Sequence, residues 1–257
     1  MADFEVRVTT GADHVGVVEF ERGRHNFFHQ PLIAALADAI EELAQDDRAR
    51  AVVLCSTGRH FCAGADFGGD EDVIETINAG RHLYDEAFRL FAQPLPVVAA
   101  VQGSAIGGGL GLALAADFRV SGPGSRWAAP FSRLGLHQGF GISVTLPRAV
   151  GEQAAADLLL TGRRIDGTEA HAIGLVDRLV PDDELREAAH AHAAQLASAA
   201  PLAVRSIRAT LRGDLAARVQ AATNHEKAEQ LRLSRTEDHR EGIAADLARR
   251  EPSFAAR

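Results

Sequence analysis

Two short stretches carry the residue types from which main-chain chemistry is built. Residues 103–120, GSAIGGGLGLALAADFRV, run a triple glycine into apolar sequence, and GRHFCAGAD follows the apolar run AVVLCS with Ala63, Gly64 and Ala65 bounded by Asp66. A strand that ends in glycines and turns into a helix presents unpaired backbone N–H groups, where the helix dipole adds roughly half a positive charge. Such a place holds anionic oxygen, either as a phosphate cradle or as an oxyanion hole. The dinucleotide fingerprint fails, because Leu112 stands where the third glycine belongs, and no Gly-Lys-Ser/Thr follows to make a nucleotide-binding loop. Taken alone, the glycines also suit a tight turn with close helix packing. The second loop adds a reason for chemistry: two parallel strands ending in small-residue loops aim one N–H each at a single oxygen, which stabilises an enolate or a tetrahedral oxyanion.

The rest of the chain must supply that pair of strands. Runs at 4–9 and 15–20 flank Gly11-Ala12-Asp13 and read as a hairpin. Leu32, Leu36, Ile40 and Leu43 recur at helical spacing behind Pro31, and AVVLCS follows as a short apolar strand. The pattern returns with a helix around 71–91, the strand VVAAVQG, the glycine run, a helix and the strand DFRVSG. Alternation of this kind predicts α/β layering with mostly parallel strands. A helix is expected at 143–160, a strand or loop at 174–180, and a helix from 183 to 198. From Pro201 onward the sequence is helical and charge-rich, with too little apolar surface to fold alone, so it is expected to dock on the core or on a neighbouring subunit.

Composition narrows the function classes. The 257 residues carry a formal net charge of −8, are 46% apolar and only 5% aromatic, and include a single lysine, Lys227. Nothing in this balance favours a phosphate-tracking nucleic-acid surface. No apolar run approaches the roughly 18 residues that span a bilayer, and the start lacks a signal-peptide pattern, so a cytoplasmic protein is expected. Cys55 and Cys62 are expected as free thiols.

The motifs together resemble the enoyl-CoA hydratase/isomerase (crotonase) superfamily over essentially the whole chain. HFCAGADF is similar to its first oxyanion loop, VQGSAIGGGLGLALAADFRV to its second, and RLGLHQGFGISVTLPRAVG to the loop and helix that follow. LLLTGRRIDGTEAHAIGLVDRLVP and HREGIAADLARREPSF match later segments. The resemblance implies an α/β spiral of repeated β-β-α units over residues 1–197, with a C-terminal helical region, 198–257, that forms a homotrimer or a dimer of trimers. It implies an acyl-CoA substrate, with no cofactor beyond the coenzyme A of the thioester and no metal. The N–H groups of Ala65 and Gly108 would then hold the thioester carbonyl. Arg24 and His25 fall where the chain wraps the CoA nucleotide, and Ala63 and Asp66 fall beside the pantetheine entrance. Phe67, Ile106 and Phe131 are further expected contacts, while Arg249, Arg250 and Phe254 lie where a C-terminal helix approaches the CoA.

The chain also departs from the family pattern. The hydratase glutamate that follows the triple glycine by two positions is Gly111 here, and the glutamate of the next loop's Pro-Glu pair is Phe131. Gly111 either removes a side chain from the pocket or lets two helices approach. Hydration needs a base for water and an acid for the α-carbon, whereas decarboxylation of a malonyl-type thioester needs only an enolate stabiliser and a proton source. His137, with an ordinary pKa near 6.5, is the first candidate for that proton, as catalyst or as structural histidine. Asp66 is the second, as base or as helix cap, and Gln138 holds water without taking its proton. Asp70, Glu71 and Asp72 read as a helix start, and the resemblance puts His82, Tyr84, Asp85 and Glu86 on a lid-like helix, facing solvent or, for one of them, the acyl pocket. Trp127 and Arg133 read as packing residues. His190 and His192 are two apart, which splits them across a helix. No Gly-x-Ser-x-Gly elbow is present, and Cys62 beside His60 is a weak nucleophile candidate.

Overall fold

The structure, a computed structural model, describes residues 3–65 and 83–257. Strands β1 (Glu5–Thr10) and β2 (Val15–Glu21) form the expected antiparallel hairpin. Helix α1 (Gln30–Gln45) starts with Pro31 in its first turn and buries Leu32, Leu36, Ile40 and Leu43 on one face. Strand β3 (Ala51–Ser56) is buried at every residue, as a strand covered on both sides must be. Then come α2 (Leu83–Phe91), β4 (Val97–Val101), β5 (Ser104–Ile106), α3 (Gly108–Ala115), β6 (Phe118–Ser121) and β7 (Arg126–Ala128).

A 3₁₀ turn, Ser132–Leu134, leads to α4 (Ile142–Val150) and α5 (Glu152–Thr161). The single helix expected over 143–160 is therefore two. Gly151, at φ 80° and ψ 160°, ends the first and starts the second, a conformation cheap only for glycine. Strand β8 (Arg164–Asp166), α6 (Gly167–Ala172), β9 (Arg178–Leu179) and four helices complete the chain: α7 (Leu185–Ala197), α8 (Pro201–Arg212), α9 (Leu215–Leu233) and α10 (Glu237–Ala248).

The strands make two sheets. Six lie in the order β1-β2-β3-β4-β6-β9, parallel from β2 onward, and three in the order β5-β7-β8. A bridge from Cys62 to Ala105 ties the loop after β3 to the second sheet. One face of the large sheet packs on α1, α2 and α3 around Phe20, Leu54, Phe61 and Leu110, and the other receives Leu185, Ala189 and Ala193 of α7. Parallel strands share a direction, so β3 and β4 deliver their following loops to the same end of the sheet. The two glycine-bearing loops meet there. His190 and His192 part as the spacing requires: His190 reaches Asp13 at 2.7 Å, while His192 is buried against Phe118.

Candidate functional site

The convergence of the loops is explicit in their hydrogen bonds. Cys62 N donates to Ser104 O, and Ile106 N donates back to Cys62 O at 3.1 Å. Gly64, at φ +100°, lies so close that a Cβ on it would stand 3.1 Å from Ile106 O. Ala65 is one residue beyond Gly64, and Gly108 two beyond Ile106. Gly107 donates to Ala128 O and leads into α3, so Gly108 opens that helix with an N–H that has no acceptor within it. Among the described residues no backbone oxygen outside the regular elements accepts from Ala65 or Gly108.

Aromatic rings flank the two amides. Phe28, which donates its own amide to Gly64 O, packs so tightly on Gly108 that any Cβ there would collide with its ring. Phe131 Cζ lies 3.7 Å from where a Cβ of Gly107 would be. The Phe131 ring therefore lies beside the glycine run. Ile106 is half-buried at the end of β5.

Gly111 serves close packing. A Cβ on it would meet Cβ, Cγ and Cδ1 of Phe140 at 2.7–2.8 Å, and Phe140 is 1% exposed. The space over Gly111 is therefore filled by a ring from the next loop rather than left as an open pocket. Phe140 itself adopts φ +63° and meets Phe28 edge-on with ring centroids 6.2 Å apart.

His137 lies in this same loop. Its Nδ1 lies 2.8 Å from Gln138 O, to which it donates. Its ring packs edge-on against His225 of α9 at 5.5 Å, and no described hydrogen bond joins it to Ala65 or Gly108. Gln138 donates to Ser143 Oγ. Asp66 and Phe67 lie outside the described residues, as do Asp70, Glu71, Asp72 and His82.

The segment before α1 reaches the first loop, since Ala63 N donates to His25 O. His25 stacks on His60 at 5.6 Å, and Arg24 and Arg59 are exposed beside them. Burial, then the positive fields of His25, Arg59 and Arg24, hold the His60 pKa below its ordinary value. This corner is cationic in a chain that is negative overall. The C-terminal candidates lie after α10 rather than on a helix: Arg249 is its C-cap, both Nη atoms of Arg250 bond the Glu241 carboxylate, and Phe254 is 44% exposed.

Two expectations change. Tyr84 and Glu86 are buried rather than solvent-facing, at 6% and 1% exposure, and burial pushes the Tyr84 hydroxyl well above its usual pKa. Both cysteines are free and buried. Burial raises the Cys62 thiol to about 12, which removes it as a nucleophile at neutral pH. Trp127 is a packing residue, 1% exposed with its Nε1 donating to Ser125 Oγ.

Sequence reasoning passed over Phe28, Phe140, Gln230 and Glu226. The signal for the first two was present: glycines at 108 and 111 that no turn demands imply that something bulky lies against them. Gln230 and Glu226 carry no local signal, because their partners are about 85 residues or more away in sequence.

Fold and site together define an α/β protein of parallel strands whose two glycine-bearing loops converge beneath an aromatic wall. Residues 10–257 match the enoyl-CoA hydratase/isomerase family, and the chain belongs to that family. It is 33% identical to the 2,3-dehydroadipyl-CoA hydratase of Escherichia coli, covering 90% of this chain and 91% of that one. It is 31% identical to the 1,2-epoxyphenylacetyl-CoA isomerase of the same organism, covering 91% and 92%. The crystal structure of an enoyl-CoA hydratase/isomerase from Pseudoalteromonas atlantica superposes with a TM-score of 0.86 at 33% identity, over 97% of this chain and 99% of that one. The fold is that of the crotonases.

Proposed function

We propose that the chain acts on an acyl-CoA thioester by holding its carbonyl oxygen on the backbone N–H groups of Ala65 and Gly108 and stabilising the enolate that forms next to it. The observation that carries this reading is the packing of Gly64 on Ile106, which brings the two amide-bearing turns side by side. Each such donor is worth about 3–4 kcal/mol of transition-state stabilisation. Arg24, His25 and Ala63 would contact the CoA, with Asp66, Phe67, Ile106 and Phe131 along the pantetheine and acyl path. Arg250 and Phe254, in the chain that follows α10, would approach a CoA.

Neither wall position that carries a glutamate in hydratases of this family does so here, and Phe140 fills the volume over Gly111. That favours an enolate chemistry other than ordinary hydration, such as loss of CO₂ from a malonyl-type thioester or another lyase reaction. His137 and Asp66 are the proposed proton carriers. A binding protein without turnover is the remaining alternative. We assign residues 1–197 to the acyl-CoA-binding core and 198–257 to assembly of a homotrimer or dimer of trimers.

The test does not require the physiological substrate. Butyryl-CoA incubated with the protein in D₂O is expected to exchange its α-protons, read by NMR, while crotonyl-CoA keeps its conjugated absorbance at high protein concentration. CO₂ release from malonyl- and methylmalonyl-CoA then separates decarboxylation from proton transfer. Calorimetric uptake of butyryl-CoA with no exchange and no decarboxylation would leave only the binding role. No uptake of any CoA ester would remove the reading altogether.

A further inference from the structure

Helices α2 and α9, far apart in sequence, close on the loop that carries His137 and Phe140. Tyr84 Oη donates to Gln230 Oε1 at 2.6 Å, and Gln230 Nε2 donates to His137 O at 3.0 Å. The backbone of Phe140 also hydrogen-bonds the Tyr84 oxygen. One residue between these two contacts has no side chain. A Cβ on Gly139 would collide with Tyr84 Oη and stand 2.8 Å from Gln230 Nε2. Two residues on, the fully buried Glu226 carboxylate takes the amides of Gly141 and Ser143 at 2.8 and 3.0 Å.

The arrangement has a direction. The loop enters the left-handed region at Phe140, φ +63°, and at Gly141, φ +74°. A bulky residue there is strained and persists only where its surroundings over-determine it. Tyr84 and Gln230 supply bonds on the near side and Glu226 on the far side. Held this way, the Phe140 ring lies over Gly111 and against Phe28, the ring that covers Gly108. A line of contacts therefore runs from the Tyr84–Gln230 pair through Phe140 and Phe28 to one of the two proposed oxyanion amides.

We infer that Tyr84 and Gln230 are positioning residues that set the acyl-facing wall by clamping the bare face of Gly139, and so tune affinity for the acyl group without touching the CoA. The inference rests on the thioester-binding reading above. A clamp of this kind acts on the part of the ligand next to the wall and leaves the nucleotide end alone. A merely structural pair would weaken both ends together.

The experiment measures calorimetric affinities for CoA and butyryl-CoA side by side, in the wild type and in Tyr84→Phe and Gln230→Met, with thermal midpoints recorded for each. In the wild type butyryl-CoA is expected to bind more tightly than CoA. Each variant breaks two hydrogen bonds of the clamp, and the butyryl-CoA affinity is expected to drop at least about tenfold, with CoA affinity held within about twofold. Equal loss for both ligands would mark the pair as merely structural and overturn the inference, as would unchanged affinity for both in the two variants. If the wild type binds neither ligand, the thioester reading fails first and the inference falls with it. Uptake of both with the same affinity would overturn the inference alone.

Discussion

At the level of single residues, the pair formed by Gly111 and Phe140 decides what the wall of the candidate site can do. A side chain at 111 and a ring at 140 compete for one volume, and the 2.7–2.8 Å approaches leave room for only one of them. Over-packing of a buried site costs typically 1–3 kcal/mol, so Gly111→Ala is expected to lower stability by about 2 kcal/mol in a denaturant titration. Phe140→Ala alone removes a large buried ring and is expected to cost about 3–5 kcal/mol. The double variant should be more stable than the sum of the two losses, by at least about 1 kcal/mol, because the ring that the alanine strikes is gone. Strict additivity would show that the two side chains do not share the space. The same competition explains why Gly111→Glu by itself is not expected to create a hydratase: the new carboxylate would have to displace Phe140 before it could face a substrate.

Elements, rather than residues, hold the loop that frames this wall, and Glu226 illustrates how. Helix α4 begins at Ile142 with orphan amides, and the capping groups come from α9 instead of from the preceding loop, whose Gly139-Phe140-Gly141 run offers no side-chain acceptor. Removing that acceptor in Glu226→Ala leaves two amides without a partner at a site that is 0% exposed. At about 1–3 kcal/mol for each unmet buried group, the variant is expected to lose about 3 kcal/mol. For a chain of this size that is a fall in thermal midpoint of roughly 6–12 °C. Glu226→Gln, which keeps an acceptor oxygen, should recover about half. Equal midpoints for Glu226→Ala and the wild type would show that α9 does not cap α4. This dependence on distant elements also marks how far the sequence could be read. The parallel strand pairs, the hairpin and the amide-bearing loops were legible, because alternation and glycine placement are local properties. The burial of Tyr84 and the identity of the ring over Gly111 were not, since each is decided by what packs against the residue rather than by the residue itself, whereas the break at Gly151 turns on a positive-φ backbone that glycine alone adopts cheaply.

Over the whole molecule, the outer face of α8 is the feature a lone chain does not explain. Arg208 and Arg212 fasten its inner side to Asp117 at 2.8 and 2.7 Å, and Asp117 in turn accepts from Val97 N at the start of β4. With the helix pinned this way, Leu202, Ile207 and Leu211 point outward at 79, 60 and 70% exposure. Ile207 and Leu211 border a cavity of about 440 Å³ lined also by Leu114, Leu196 and Leu215. Scattered apolar residues are ordinary on a surface, but three large ones along one helix beside an apolar hollow mark a contact face. We expect this face to meet a second copy of the chain in the proposed trimer. Light scattering after gel filtration should then return a mass that is a multiple of three times 27.3 kDa. Burying a leucine or isoleucine contributes about 1.5–3 kcal/mol, and placing a carboxylate there costs more, so Ile207→Glu combined with Leu211→Glu should shift the mass toward the monomer. Both positions are exposed in the isolated chain, so the far-ultraviolet circular dichroism of the variant should match the wild type. A wild-type monomer would remove the expectation, and an undisturbed assembly in the double variant would place the subunit contact on another face.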